Sequence, residues 1–377
     1  MKILIASTIS TKRRLEIFSK SLLIIILILL TSCSQPKSDT STDITVVSSK
    51  TQSFFLDILQ YVGCTVHDSP DRPYGNPKLI SDESGAVWVI YNQLISFVPG
   101  AAVKDQELVF WNRQEKYSKK LDASQIGKSI TLTASNGANN IWVSYENGLL
   151  AIFGNNSPFQ ETTLTNPDFK KSDEIIEMAT DAEDQLAVLY KSNQHNSSVK
   201  LALGKDGIWT NIPISEKMNP LTIAFDNEKQ LFMASVYKNM FLSLSSWRND
   251  HWVELATTEM KTIPNKLLID SRNRVWLGTN EGVYRLSKSE ESATPWYLEQ
   301  QTDIRGQTIK LIEHSDTAWQ AIESGIVIDT GDYPTFWGIP GVSDMAFDKD
   351  ETFYVIFTPN LTKSQLLVCP KGSGPNQ

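Results

Sequence analysis

The chain repeats itself every forty-odd residues, and that period decides which folds are open to it. The segment from Lys266 to Leu286 reads KLLIDSRNRVWLGTNEGVYRL. It runs as an apolar strand ending in Asp, a polar turn, an apolar strand carrying Trp, a Gly-containing turn and a third short strand. Leu79 to Phe97 and Ile130 to Phe153 keep this order, and weaker copies span Ile176 to Leu203, Ile223 to Leu244, Ile309 to Ile328 and Met345 to Val368. Aligned on the middle strand, Trp88, Trp142, Ala187, Phe232, Trp276, Trp319 and Tyr354 share one position, at intervals of 54, 45, 45, 44, 43 and 35 residues. Units this small cannot bury an apolar face alone and must stack on their neighbours; a period of ~40–50 residues built of short strands is that of four-stranded blades. After Cys33 no 3.6-residue apolar period persists for several turns, which excludes a helical solenoid.

A second aromatic follows the first by 17 to 23 residues: Trp111, Phe159, Trp209, Trp252, Trp296 and Trp337. Each is expected on the outermost strand of its unit. Two registers of large side chains at different radii suit sheets stacked like wedges, where each buried apolar residue contributes roughly 1.5–3 kcal/mol. The expected architecture is therefore all-β, a single seven-bladed β-propeller over residues 44–377.

The unit IDSRNRVWLGTNEGVYRL resembles the two-component-regulator propeller repeat, whose usual form is D-x-x-G-x-[LI]-W-[IV]-G-T-x-x-G-[LV]-x-[RK]. The match is close at 266–286, with Arg274 departing from the pattern, moderate at 79–97 and 130–153, and reduced to the strand rhythm elsewhere. The resemblance implies an extracytoplasmic propeller. In that family paired propellers serve hybrid histidine kinases as sensors, thought to bind glycans. No kinase, second propeller or transmembrane helix follows in this sequence, so the fold carries over and the function does not.

The last unit holds three strand-like segments, Val342–Asp348, Thr352–Thr358 and Gln365–Cys369, where four are expected. An unpaired sheet edge is a liability. The apolar segments 44–48 (ITVVS) and 54–66 (FFLDILQYVGCTV) precede the first full repeat and have no unit of their own. One of them is expected to close the ring as the missing outer strand of the last blade. Of the chain's three cysteines, Cys64 and Cys369 stand at the two ends of the repeat region. A disulfide between them across the closure is expected, the alternative being two separate buried thiols. A loop near 300 residues would be worth nominally ~5 kcal/mol in the chain-entropy model.

The N-terminus supplies an address. Lys12, Arg13, Arg14 and Lys20 precede the unbroken apolar run Leu22 to Leu30, which fits a signal-peptide core and is too short to span a bilayer. Leu30-Thr31-Ser32-Cys33 resembles the bacterial lipobox. That resemblance implies removal of residues 1–32 and a diacylglycerol on Cys33; the alternative is an uncleaved single-pass anchor. Residues 33–43 are polar and poor in apolar groups and read as a flexible tether. The expected location is the cell envelope, lipid-anchored, and the outer membrane in a Gram-negative organism because Ser34 rather than Asp follows the cysteine. Beyond Cys33 the chain carries 30 basic and 42 acidic side chains. Such a balance excludes nucleic acid as a partner and a second, electrostatic attachment to anionic lipid.

The chemistry is sparse. His67, His195, His251 and His314 fall in no zinc-ligand spacing, and no metal or cofactor is expected. The acidic turns at Asp226, Asp270 and Asp348 fall at one repeat position, where Asp and Asn cap tight turns through side-chain-to-backbone hydrogen bonds; that role is preferred to calcium binding. Three residues past the aligned position come Tyr91, Tyr145 and Tyr190, candidates for a stacking rim on one propeller face or, alternatively, wedge residues between blades. Asn280 and Glu281 in the adjoining loop complete the candidate ligand face. No catalytic group is assigned. The expected function is non-enzymatic recognition of an envelope protein or glycan. A lyase or hydrolase with its site in the central channel, and an outer-membrane assembly scaffold, are the alternatives.

Overall fold

A computed structural model describes residues 63–373 apart from 69–72, 82–86, 97–104, 112–115, 121–129, 135–139, 146–149, 155–159, 163–172, 184, 193–197, 206–207, 238–240, 289–295, 302–305, 330–334 and 359–363. Every regular element among the described residues is a strand. The first, β1, is Thr65–Asp68. Sheet 1 follows as β2 (Pro73–Ser81), β3 (Val87–Ser96), β4 (Asp105–Trp111) and β5 (Lys116–Lys120). Sheet 2 comprises β6 (Ile130–Ala134), β7 (Asn140–Tyr145), β8 (Leu150–Gly154) and β9 (Gln160–Thr162). Sheet 3 comprises β10 (Glu174–Thr180), β11 (Leu186–Lys191), β12 (Val199–Lys205) and β13 (Ile208–Ile212). Sheet 4 comprises β14 (Met218–Phe225), β15 (Leu231–Tyr237), β16 (Phe241–Arg248) and β17 (His251–Glu259). Sheet 5 comprises β18 (Pro264–Ile269), β19 (Val275–Thr279), β20 (Gly282–Lys288) and β21 (Trp296–Gln300). Sheet 6 comprises β22 (Thr308–His314), β23 (Thr317–Ile322), β24 (Gly325–Asp329) and β25 (Thr335–Gly338). Sheet 7 begins with β26 (Val342–Phe347), β27 (Phe353–Phe357) and β28 (Gln365–Cys369), and takes β1 as its fourth strand.

Each sheet is an antiparallel meander in chain order, except that β1 pairs with β28, Thr65 opposite Val368 and Asp68 opposite Gln365. The strand at this edge therefore begins later than the sequence indicated. Of the described part of the segment 54–66, Thr65 and Val66 belong to it, while 54–62 and 44–48 lie outside the described residues. Cys64, just before β1, is joined to Cys369, the last residue of β28, by a disulfide of 2.08 Å. Both cysteines are buried in a core shared by sheets 6 and 7.

The aligned residues all fall on the second strand of their sheets, β3, β7, β11, β15, β19, β23 and β27. Each is paired with the end of the preceding strand: Trp88 with Ile80, Trp142 with Ala134, Trp276 with Leu268 and Tyr354 with Ala346. The second aromatic lies on the outer strand for Trp209, Trp252, Trp296 and Trp337. Trp111 departs from the expectation: it ends β4, the third strand, because residues 116–120 add a further strand outside it. Phe159 lies outside the described residues. The core is distributed between sheets rather than within one centre. Trp142 packs with Met178, Val188 and Tyr190 of sheet 3. Phe232 and Leu244 of sheet 4 pack with Leu267, Leu277 and Tyr284 of sheet 5. Tyr91 and Val109 of sheet 1 pack with Tyr354, Ile356 and Leu366 of sheet 7.

The repeated Asp sets the turn between the first and second strands. In four sheets its Oδ1 accepts the backbone N–H groups two and four residues on. Asp181 takes them from Glu183 and Gln185 at 2.8 and 2.9 Å, and Asp226 from Glu228 and Gln230 at 2.9 and 2.8 Å. Asp270 takes them from Arg272 and Arg274 at 3.0 and 2.8 Å, and Asp348 from Asp350 and Thr352 at 2.9 and 2.8 Å. The turn role of these acidic residues is thus a matter of four matching hydrogen-bond pairs. The third turn residue is left-handed at Lys229, Asn273 and Glu351, with φ of 65°, 60° and 61°. The glycine of the WLGT segment has a packing reason. A Cβ on Gly278 would stand 2.5 Å from Cγ2 of Thr308 in the next sheet. The Thr308 hydroxyl donates to the Thr279 carbonyl at 3.0 Å and accepts from Gln320 Nε2 at 2.6 Å.

Candidate functional site

The first strands of all seven sheets, β2, β6, β10, β14, β18, β22 and β26, line one cavity of about 500 Å³. These strands share an irregularity. Pairing with the second strand slips between Tyr74 and Lys78, Ile130 and Leu132, Ile175 and Glu177, Pro220 and Thr222, Pro264 and Lys266, Thr308 and Lys310, and Val342 and Asp344. An extra residue on one strand of a pair kinks it and re-aims the side chain that follows. The residues that follow the slips form a ring around the cavity: Lys78, Leu132, Glu177, Thr222, Lys266, Lys310 and Asp344.

Five members of this ring are ionisable, three lysines and two carboxylates. Lys266 Nζ reaches both oxygens of Glu177, at 3.1 and 2.8 Å, although their sheets are separated by sheet 4. The intervening sheet contributes Thr222, whose hydroxyl donates to Glu177 Oε2 at 3.4 Å. Asp344 is buried and accepts backbone N–H groups on both oxygens, from Leu79 at 2.9 Å and from Met345 at 2.8 Å. The first of these ties sheet 7 to sheet 1. Lys310 Nζ stands 3.5 Å from Asp344 Oδ1. Lys78 is the remaining cation. Burial pushes its ammonium below the ordinary lysine value; the Asp344 carboxylate pulls it back up, Lys310 and Lys266 press it down again, and Glu177 opposes them weakly. Each carboxylate thus has its partners, while the lysines outnumber them.

The ring escaped the sequence reading, which sought histidines and carboxylates in short motifs. Its signal is periodic. Lys78, Glu177, Thr222, Lys266 and Asp344 each precede the aligned residue of their unit by ten positions, and Lys310 precedes Trp319 by nine. Charged residues at one fixed offset on apolar inner strands would have marked it.

The proposed ligand face fares differently. Tyr91, Tyr145 and Tyr190 are buried to 1%, 1% and 0% exposure. Tyr91 packs against sheet 7 and Tyr190 against sheet 2, and side chains so buried cannot form a surface rim. Burial also raises the phenol of Tyr145 above its ordinary value. Asn280 and Glu281 are exposed in the turn between β19 and β20, with the Glu281 N–H held by Thr279 Oγ1 at 2.9 Å. Because Thr279 pairs with Pro264, this turn lies at the end of sheet 5 nearest Lys266. Cys33 and His195 lie outside the described residues. Of the other histidines, His67 Nε2 is 3.1 Å from Thr65 Oγ1, His251 Nδ1 is 3.0 Å from the Asn249 carbonyl oxygen, and His314 stacks on Phe347. Among the described residues no three His, Cys, Asp or Glu side chains gather as a metal site would need.

No protein-family model matches the chain, and no curated protein matches it in sequence. Among solved structures it is similar to virginiamycin B lyase from Staphylococcus aureus, with 11% identity over 81% of this chain and 98% of that one and a TM-score of 0.54. It is also similar to the extracellular domain of a hybrid two-component system protein from B. thetaiotaomicron, with 10% identity over 80% of this chain and 39% of that one and a TM-score of 0.53. A third is YCF48 bound to D1 peptide, with 11% identity over 81% of this chain and 94% of that one and a TM-score of 0.51. At such identities the likeness concerns the fold alone, and that fold is a β-propeller built of antiparallel four-stranded sheets.

Proposed function

We propose that the chain is a single seven-bladed propeller, closed by β1, that works as a non-enzymatic recognition module in the cell envelope. On this reading residues 1–32 are a signal peptide, Cys33 carries the lipid, and residues 33–43 tether the propeller to a membrane of the cell envelope, the outer membrane if the cell is Gram-negative. The partner is an envelope protein or glycan that engages the face bearing the charged ring and the Asn280–Glu281 turn. The observation that carries the reading is the ring itself. Polar groups from separate sheets converge on one cavity, and cavities of ~300–1,000 Å³ with a few convergent polar groups are the usual form of a binding site. The engagement of Glu177 and Asp344 by hydrogen bonds and lysines favours binding over acid–base work, since a general base needs a free acceptor. The neighbours include both a lyase and a protein bound to a peptide, so the fold accommodates either role. An oxidising compartment agrees with the Cys64–Cys369 disulfide.

The test is affinity capture of the lipidated protein from its own membranes. The expected result is a stoichiometric envelope partner that is lost when Lys266 and Lys310 are replaced by Met. Turnover of a small substrate with no partner recovered would replace this reading with a catalytic one.

A further inference from the structure

The ring's charges do not balance, and the imbalance has a definite place. Glu177 is matched by Lys266, and Asp344 faces Lys310 while its oxygens hold the N–H groups of Leu79 and Met345. Lys78 has no hydrogen-bond or ion-pair partner among the described residues, and it sits between the buried Pro77 and Leu79 on β2. Asp344 and Lys310 are the charges that act on it most strongly. A cation withdrawn from water without a matching anion is costly, and an anion able to reach it binds with charge-assisted hydrogen bonds.

We propose that the central cavity is a receptor site for one carboxylate group, bound at Lys78 beside Lys310. A carboxylate fits because the ring's excess is one positive charge, and Glu313, the third carboxylate of the cavity lining, is taken up by the Ser271 N–H and hydroxyl. A dianion would leave the ring negative and would press on Glu177 and Asp344. The cavity of about 500 Å³ has room for the rest of a small organic acid, or for the last residues of a peptide ending in a free carboxylate. Three lysines gathered on a protein that is otherwise acidic also give the ligand a local attraction that the surface at large does not. The proposal rests on the recognition reading only in taking the cavity as the binding site.

The experiment titrates the purified full chain in carboxylate-free buffer with sodium acetate, and with sodium chloride at matched ionic strength. Melting temperature and ¹³C-acetate line width are followed together. Acetate is expected to raise the melting temperature saturably while chloride does not. Lys78→Met is expected to weaken binding at least about tenfold, whereas the exposed Lys217→Met leaves it unchanged. Should Lys78→Met fail to fold, Lys310→Met carries the same expectation. Equal shifts by acetate and chloride, or wild-type acetate binding by a folded Lys78→Met or Lys310→Met chain, would overturn the proposal. A second arm distinguishes the sources. Acetyl-Ala-Ala binding more tightly than acetate, and failing as its amide, assigns the carboxylate to a chain terminus; acetate binding at least as well assigns it to a free acid. Because these readouts use purified protein, saturable acetate binding alongside a failed membrane capture would remove the recognition reading and leave this one standing.

Discussion

The indole nitrogen of Trp276 donates a 2.8 Å hydrogen bond to Oδ2 of Asp270, six residues earlier in the chain. The phenol of Tyr354 does the same to Oδ2 of Asp348 at 2.9 Å, over the same spacing. One carboxylate therefore performs two tasks: Oδ1 shapes the turn and Oδ2 fixes the aromatic of the next strand. At Asp270 burial works to raise the carboxyl, but the hydrogen bonds from Trp276 and Arg274 and the guanidinium charge of Arg274 outweigh it and hold it below the usual carboxylate range. The pairing explains why Asp and an aromatic with a donor stand six apart in sheets 5 and 7. In sheets 3 and 4 the corresponding positions are Ala187 and Phe232, whose side chains have nothing to donate to Asp181 and Asp226.

Replacing Trp276 by Phe retains most of the ring and removes only the donor. The Asp270 oxygen is then left in a buried site with Arg274 as its remaining side-chain partner. The variant is expected to lose about 1–2 kcal/mol in urea unfolding at neutral pH, the range of one hydrogen bond to a charged acceptor. Phe232→Trp, where no such bond exists in the parent, serves as the contrasting substitution. A Trp276→Phe chain as stable as its parent would show that the spacing has another cause.

How far the sequence was legible follows from what each feature repeats. The aromatic position was readable because its residue type recurs, and the turns were readable because Asp chemistry is local. Trp111 was misplaced because nothing in residues 116–120 (KYSKK) marks a strand; only pairing with β4 makes it one. The tyrosines Tyr91, Tyr145 and Tyr190 were ambiguous because a strand end can face solvent or a neighbouring sheet, and only the stacking of sheets decides. The cavity ring was hidden for another reason. Its members differ in type, Lys, Leu, Glu, Thr, Lys, Lys and Asp, and become a set only where the first strands of the described sheets line one cavity.

The Glu177–Lys266 pair spans sheets 3 and 5 across Thr222. Its side chains are 12% and 24% exposed, so removing one member strands the other in a partly dry site. Lys266→Met is expected to cost about 1–3 kcal/mol, less than the ~3–5 of a fully buried pair because water still reaches the amine. Adding Glu177→Gln should return much of that loss. A double variant no more stable than Lys266→Met alone, in a complete thermodynamic cycle, would show that the two side chains are not coupled.

The disulfide between Cys64 and Cys369 joins residues 305 apart and sits at the edge where β1 meets β28. Under non-reducing conditions the mature protein is expected to offer neither cysteine to alkylation. Cys369→Ser is expected to lower stability by roughly 2–5 kcal/mol, the upper end being the chain-entropy limit for so long a loop. The loss should be concentrated in sheet 7, where hydrogen exchange at Val66 and Leu367 would rise first. Two alkylatable thiols in the native protein would remove the bond from the account.

His314 ends β22 with its ring parallel to Phe347 of β26, the centroids 3.6 Å apart and the planes within 5°. Trp319 meets both rings edge-on, so the imidazole forms part of the aromatic packing between sheets 6 and 7. Burial holds its pKa below the ordinary value of 6.5; Glu351 opposes that shift and Lys371 adds to it. A histidine depressed in the folded state favours folding as the neutral ring. Its contribution is full above the unfolded value near 6.5 and is lost as pH falls through the folded value. The depressed carboxyls of Asp270, Glu299, Asp316 and Glu351 titrate too low to interfere in this window. Melting temperature is therefore expected to fall between about pH 7 and pH 5. In His314→Phe, which keeps the stack and removes the proton site, the fall should be smaller. Parallel curves for the two proteins would mean that protonation of His314 is not what loosens the contact between the last two sheets.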